Sequence, residues 1–315
     1  MSKIKNKLLK LKANIDFLKW IGSILRGLFI ISVSFIIIRP LIINLLSALM
    51  SSEDLYDLRV NIVPRNFTLD NFAFVFEQLS YPTAFLNSFL LATGIAVFTL
   101  VSCTIIGYGL ARFEFGGRKV IFGLVILTLV VPPQIIMTPL YLNFRFFNLF
   151  GLLGEKGLNL LGSFWPPILL AITGNGLRSG LFIYIAMQFF RGMSVELEEA
   201  SYVDGAGPVK TFFRVMLPNA VPILVIITLF AFVWQWNDLF YSRLFLREQT
   251  LLSIELRELP AIFSYGYAEK GEHPDEYISL LNNAGIILYI TPVIILYGFM
   301  QRYFIQSVEK TGIVG

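Results

Sequence analysis

The stretch RGMSVELEEASYVDGAGPVKTFFRVMLPNA, Arg191 to Ala220, separates two long apolar runs and determines how this chain is organised. Ser194 can cap a helix whose first turn carries acidic side chains, which suit the positive end of a helix dipole. Gly205 can adopt the left-handed conformation that ends a helix, and Gly207 with Pro208 suits the start of the next. The spacing therefore predicts two short helices that meet at a sharp turn.

The second of these helices is predicted to be amphipathic. Its apolar side chains recur at i, i+3, i+4 and i+7, as Val209, Phe212, Phe213 and Met216. Lys210 and Arg214 share the opposite face, and Leu217-Pro218 is expected to break the helix before the next apolar run. Because about five residues could connect two helices, the long ordered connection at residues 191–218 indicates that another protein docks there.

The composition is that of a polytopic, all-α membrane protein. Hydrophobic residues make up 56% of the 315 residues and charged residues only 15%, against roughly 25% charged in soluble domains. A helix of about 20 apolar residues can cross the bilayer core, since it satisfies its own backbone hydrogen bonds. We predict six spans, at residues 27–49, 85–111, 119–142, 164–190, 219–241 and 279–304. The prolines and glycines in the third and fourth are expected to kink them.

The distribution of charge predicts the orientation. With the N-terminus inside, the inner segments carry 15 Lys and Arg and the outer ones eight, as the positive-inside rule requires. Both termini and residues 191–218 then face the cytoplasm. Residues 1–26 are predicted to be a retained, basic amphipathic segment, residues 27–306 the membrane domain and residues 307–315 a cytoplasmic tail.

The same stretch resembles the EAA motif of the permease subunits of bacterial ABC importers. That motif is Glu-Ala-Ala, three residues, Gly, nine residues, Ile, one residue and Leu-Pro. Its counterparts here, at the same spacing, are Glu199, Ala200, Ser201, Gly205, Val215, Leu217 and Pro218. Serine replaces the second alanine, and valine replaces the isoleucine.

Other segments resemble the maltose-type, carbohydrate-uptake branch of that family. They are NSFLLATGIAVFTLVSCTIIGYGLARFEFGGRK from Asn87, PPQIIMTPLY from Pro132, WQWNDLF from Trp234 and QRYF from Gln301. The resemblance runs from about Thr68 to the end of the chain and implies the type I ABC importer permease fold. It implies that this chain forms half of an oligosaccharide pathway and has no catalytic or metal-binding residues of its own.

The resemblance also implies partners. They are a second homologous permease, two ATP-binding subunits, an extracytoplasmic solute-binding protein, the lipid bilayer and the sugar, with no nucleic acid. ATP and magnesium would be bound by the ATPase subunits, since this chain lacks a G-x-x-x-x-G-K-[ST] phosphate loop. The residues predicted to couple to the ATPase are Glu199, Ala200, Ser201, Gly205, Val209, Phe212, Phe213, Leu217 and Pro218.

Two arginines lie inside predicted spans, where a charge costs about 2.5 to 3.5 kcal/mol on insertion scales. In one interpretation, Arg39 snorkels or pairs with a partner subunit and Arg178 marks a misplaced span boundary; in the other, one or both line the pathway and favour an acidic sugar. Further pathway candidates are Trp236, Asn237, Asp238, Asn282 and Asn283. For the asparagines, hydrogen bonding between helices is an equally good explanation, and for the tryptophan an interfacial position.

Two alternatives to a sugar permease remain at this stage. The first is an importer permease for amino acids, peptides or phosphate. The second is a polytopic membrane enzyme, which should carry clustered His, Asp or Cys near one membrane face. The chain has one histidine, His273, in a polar stretch, and one cysteine, Cys103, in an apolar run, which argues against the enzyme.

Overall fold

The computed structural model describes residues 2–149, 151–154, 157–268 and 275–312, with side-chain surroundings for residues 19–149, 151–154, 157–264 and 277–302. His273 and the last three residues of the predicted tail lie outside the described residues. The described chain is helical, and its β pairing is confined to two isolated bridges, Met50–Phe67 and Phe147–Leu158. The predicted all-α class is confirmed.

The helices follow one another in this order: α1 (Ser2–Ala48), α2 (Ser52–Tyr56), α3 (Asp70–Gln78), α4 (Tyr81–Arg112), α5 (Arg118–Val130), α6 (Pro133–Arg145), α7 (Trp165–Ile172), α8 (Ser179–Gly192), α9 (Glu196–Val203), α10 (Pro208–Thr211), a π-helical turn (Phe212–Met216), α11 (Leu217–Asn219), α12 (Val221–Trp236), α13 (Phe240–Phe245), α14 (Leu252–Ala268) and α15 (Asp275–Gly312). They divide into two compact units. The first contains the described residues of Met1–Val75 and Gly266–Ile287, and the second those of Phe76–Tyr265 and Leu288–Gly315.

The first unit contains the long helix α1 and a short loop fixed by a buried carboxylate. Within α1, the stretch Lys19–Ala48 is apolar, and none of its 18 most apolar consecutive residues is buried inside the protein. After it, the Asp54 carboxylate accepts hydrogen bonds from the backbone N–H groups of Arg65 and Asn66, both at 2.7 Å. The Asn71 side chain donates to the carbonyl of Ala48, the last residue of α1, and to that of Met50 just after it. These bonds close the loop between α1 and α3.

The second unit is built around α4, which packs against α7, α8 and α12. A glycine allows the closest of these approaches, because a Cβ built on Gly107 would lie 2.6 Å from the Ala186 Cβ and 3.0 Å from the Met187 nitrogen. Earlier in α4, the Ser102 hydroxyl donates to the Ala171 carbonyl of α7 at 2.7 Å. Helix α4 is therefore the central element of this unit.

The close approach of α4 and α8 gives a test of the packing. We expect Gly107→Ala to lower the unfolding temperature in detergent. The added methyl forces the helices apart, which lowers the free energy of unfolding by about 1–3 kcal/mol. Gly109→Ala is the matched control, since a Cβ there has no neighbour within 4 Å. Equal unfolding temperatures for the two variants would contradict this packing.

The predicted spans are only partly continuous helices. Among the described residues, three helices are long and apolar enough to cross a membrane: Lys19–Ala48, Tyr81–Arg112 and Tyr277–Arg302. Two bent pairs bring the total to as many as five. One pair, α5 with α6, corresponds to the predicted span 119–142 and bends by 104° at the two prolines, as expected for a kinked span.

The predicted span 164–190, in which we expected a kink, is interrupted completely. The chain leaves α7 at Ile172 and starts α8 only at Ser179, and the intervening backbone is left-handed at Gly174 (φ 71°) and Arg178 (φ 60°). A residue with positive φ cannot continue a right-handed helix. The span therefore consists of two shorter helices with a non-helical break between them.

Candidate functional site

The two short helices predicted around Gly205 are present, in the segment that we call the EAA loop (residues 191–218). Helix α9 ends at Val203, Gly205 has a φ of 77°, and Pro208 begins α10. The Ala206 N–H donates to the Ser201 carbonyl across the turn at 3.0 Å, which satisfies a carbonyl at the end of the helix. At the other end of α9, the predicted cap Ser194 lies one residue before the N-cap position, which Val195 occupies, and its hydroxyl accepts from the Glu196 N–H at 3.3 Å.

The serine that replaces the second alanine of the EAA motif has a partner on the far side of the turn. Ser201 and Thr211 are both buried, and their hydroxyl oxygens lie 2.9 Å apart. Alanine has no group that could form this bond. The substitution therefore fastens α9 to α10 in this chain.

The predicted apolar face of the second helix is divided by the structure. Val209 and Phe213 are 72% and 57% exposed, whereas Phe212 is 8% exposed and Met216 is fully buried. Val209 and Phe213 are four residues apart and face outward together, whereas Phe212 and Met216, also four residues apart, face inward. The prediction that Phe212 lies on the exposed docking face is therefore wrong.

Exposed apolar side chains also occur on α9, where the sequence analysis did not predict them. Val203 is 88% exposed at the end of this helix, next to the glycine turn, and Tyr202 is exposed as well. Glu199 and Ala200, which belong to the motif itself, are exposed too. The EAA loop thus presents apolar side chains from both α9 and α10, and acidic side chains from α9.

Glu198, the neighbour of the motif glutamate, faces inward. Its Oε1 accepts a 2.8 Å hydrogen bond from the Tyr108 hydroxyl, and its Oε2 lies 3.6 Å from the Arg112 Nε. The Arg112 Nη2 donates to the Met193 carbonyl at 2.7 Å. Sequence reasoning missed this contact, although Glu198 and the buried Ser201 are three residues apart and so share a helix face.

The end of the EAA loop bends later than predicted. Leu217 is half-buried and Pro218 is exposed, and both belong to the short helix α11. The 78° bend into α12 follows at the buried Ala220. Leu217-Pro218 does not break the helix because the proline lies in the first turn of α11, where its missing N–H has no intrahelical partner.

Three of the pathway candidates lie together at the end of α12. Trp236 is buried, and its Nε1 donates to the Tyr289 carbonyl at 3.3 Å. Asn237 is exposed and donates to the Val233 carbonyl at 2.8 Å. The buried Asp238 accepts from the Ser242 N–H at 2.8 Å and from the Ser242 hydroxyl at 3.1 Å. Asp238 thereby caps helix α13.

The remaining candidates are divided between the two units. In the first unit, Arg39 is exposed on α1, and Asn282 and Asn283 are half-buried on α15. In the second, Arg178 is exposed just before α8, with its guanidinium carbon 5.8 Å from the centre of the Trp234 ring. The break before α8 agrees with the interpretation of Arg178 as a misplaced span boundary.

The family follows from comparison with known proteins. The model of the family described as "Binding-protein-dependent transport system inner membrane component" matches residues 103–310, which include the EAA loop. The chain belongs to this family. The predicted identification as an importer permease subunit embedded in a membrane is thereby confirmed.

The match to individual relatives of this permease is longer than residues 103–310. It is 29% identical to the arabinooligosaccharides transport system permease protein AraQ of Halalkalibacterium halodurans, over 90% of this chain and 93% of the relative. It is 31% identical to the osmoprotective compounds uptake permease protein GgtD of Synechocystis sp., over 77% of this chain and 74% of the relative.

A solved structure shows the same fold. It is the crystal structure of a bacterial ABC transporter involved in the import of the acidic polysaccharide alginate, which matches at a TM-score of 0.72 with 23% identity. The match covers 90% of this chain and 96% of that chain. The predicted ABC importer permease fold is confirmed.

Proposed function

We propose that this permease forms half of the translocation pathway of an ATP-driven oligosaccharide importer in a bacterial cytoplasmic membrane. A second homologous permease, two ATP-binding subunits and an extracytoplasmic solute-binding protein complete the complex. The observation that carries the proposal is the family match over residues 103–310, together with a relative named for arabinooligosaccharide transport that aligns along 90% of this chain. Both termini and the EAA loop face the cytoplasm in this proposal.

In the proposed mechanism, the EAA loop docks on the ATPase and converts its closure into movement of the attached helices. The exposed side chains of Val209 and Phe213 supply apolar area for docking, and the exposed Glu199 supplies charge for a basic partner. The left-handed Gly205 sets the angle between α9 and α10. ATP and magnesium are bound by the partner, and this chain contributes the docking surface and the pathway.

The proposal is tested by reconstituting the permease with the three other kinds of subunit in liposomes. We expect uptake of labelled oligosaccharide to require ATP, the solute-binding protein and this chain together. A panel of arabinooligosaccharides, oligouronides and small neutral osmolytes identifies the cargo. Uptake of osmolytes without any oligosaccharide would favour a second candidate cargo, an osmoprotective compound, which the name of one relative suggests.

The two arginines test whether the cargo is acidic. If they line the pathway, Arg39→Gln and Arg178→Gln should each lower uptake of oligouronides by about tenfold and leave neutral oligosaccharides unchanged, because each removes one charge attraction. The comparison of acidic with neutral sugars controls for damage to the protein. Unchanged uptake of every acidic sugar would remove the arginines from the pathway.

A further inference from the structure

We propose that Tyr108, Arg112 and Glu198 form a mechanical link that carries displacement of the EAA loop to helix α4. The inference rests on the proposed function, in which an ATPase moves this loop. The three residues act as positioning residues, since they transmit movement and touch neither cargo nor nucleotide. We call them the α4 link.

The need for such a link follows from the connectivity. The EAA loop is joined covalently to α8 and α12, whereas α4 ends at Arg112, far earlier in the chain. Yet α4, at 32 residues, is the helix against which α7, α8 and α12 pack. Movement of the loop can therefore reach the centre of this unit directly only through non-covalent contacts with α4.

The α4 link supplies a polar contact that is protected from water. The side chains of Arg112 and Glu198 are 8% and 9% exposed. Buried charged groups interact much more strongly than exposed ones, and they tolerate loss of a partner poorly. The Tyr108 hydroxyl bonds to Glu198 at 2.8 Å, and Arg112 also holds the Met193 carbonyl at 2.7 Å. Helix α4 is thus bonded to the loop at two places, at Glu198 within α9 and at Met193 just before α9.

An aromatic contact accompanies the polar one. The Tyr108 ring lies 4.7 Å from the Phe212 ring in the π-helical turn and 5.2 Å from the Phe190 ring on α8. Tyr108 therefore contacts the beginning of the loop through its hydroxyl and the end of the loop through its ring. A rigid displacement of the loop presses on α4 at both places.

The ion pair also leaves room for a second arrangement. The Arg112 Nε has no hydrogen-bond acceptor in range, because the Glu198 Oε2 is 3.6 Å away. Approach of the loop by less than about 1 Å would complete a charge-assisted hydrogen bond. The α4 link can therefore tighten when the loop moves toward α4.

The test measures uptake per ATP hydrolysed in the reconstituted complex. We expect Glu198→Gln to lower this ratio by about tenfold, since a hydrogen bond to a buried charge contributes roughly that factor, while the ATPase subunits still co-purify. Tyr108→Phe should lower the ratio a few-fold, and this variant keeps the ring contacts. If Glu198→Gln does not fold, Tyr108→Phe therefore tests the α4 link alone. The double variant should resemble Glu198→Gln alone, because residues that act through one contact are not additive.

Tyr184→Phe is the matched control. It also removes a tyrosine hydroxyl, but Tyr184 lies on α8 and its ring stacks on Phe122 instead of on the loop. Its ratio should equal that of the wild type. Unchanged ratios in Tyr108→Phe and Glu198→Gln, or an equal fall in Tyr184→Phe, would overturn the α4 link while leaving the proposed function intact. Failure of the wild-type chain to bind an ATPase would overturn both.

Discussion

Gly205→Val is expected to lower ATP-driven uptake by tenfold or more while the permease remains in the membrane at normal amounts. Gly205 has a φ of 77°, and a Cβ built there has no neighbour within 4 Å. The effect is therefore purely conformational: a β-branched residue held in the left-handed region costs about 1–3 kcal/mol, and the chain avoids this strain by reopening the turn between α9 and α10. Uptake into cells and the amount of permease in their membranes measure the two quantities.

Gly207→Ala controls for the loss of a glycine in the same turn. Its φ is −77°, which any residue adopts, and a Cβ there also has free space. Uptake should stay at the wild-type level. If Gly205→Val transported as well as Gly207→Ala, the angle of the turn would have no part in coupling.

The double variant Val209→Asp and Phe213→Asp is expected to abolish co-purification of the ATPase subunits. Both side chains are exposed in this chain, and burying a valine or phenylalanine on docking contributes about 1.5–3 kcal/mol each. The new carboxylates would also have to lose water at the interface. Subunit ratios in affinity-purified complexes measure the effect.

The conservative pair Val209→Ile and Phe213→Leu keeps the surface apolar and should retain the ATPase. Because the side chains project from a surface, neither pair is expected to change the unfolding temperature of the isolated permease by more than a small amount. Full retention of the ATPase by the aspartate variant would exclude this face from docking.

The local features of the EAA loop were predictable from sequence. A left-handed residue is nearly always glycine, so Gly205 between two helix-forming stretches identified the turn. The same logic explains the bend at the prolines between α5 and α6. Such requirements are imposed by the backbone of a few neighbouring residues, and the sequence of those residues is enough to reveal them.

Features that depend on distant packing were not predictable. Glu198 and Glu199 are adjacent and chemically identical. Glu198 is buried because Tyr108 and Arg112, about 90 residues earlier in the chain, pack against it. Phe212 likewise faces inward and contacts Tyr108, whereas its neighbour Phe213 is exposed. Neither choice is encoded in the local pattern of apolar and charged residues.

Asp238 has a structural role that the sequence analysis did not name. An acidic residue near an apolar run indicated a pathway site, whereas its carboxylate bonds the first backbone N–H groups of α13. Aspartate is a preferred capping residue, so this use was available from the sequence NDLF as well. The pathway role of Asp238 stays a prediction.

The central claim, that the EAA loop docks on a separate ATPase, is tested most directly by photo-crosslinking in membranes that carry the complete importer. A photoreactive amino acid at position 209 or 213 should crosslink to the ATPase subunit, because both side chains point outward from the loop. The same group at Val120, an exposed residue of α5, is the control and should give no such product. The account is contradicted if positions 209 and 213 give no ATPase crosslink while uptake continues, or if position 120 crosslinks as well as they do.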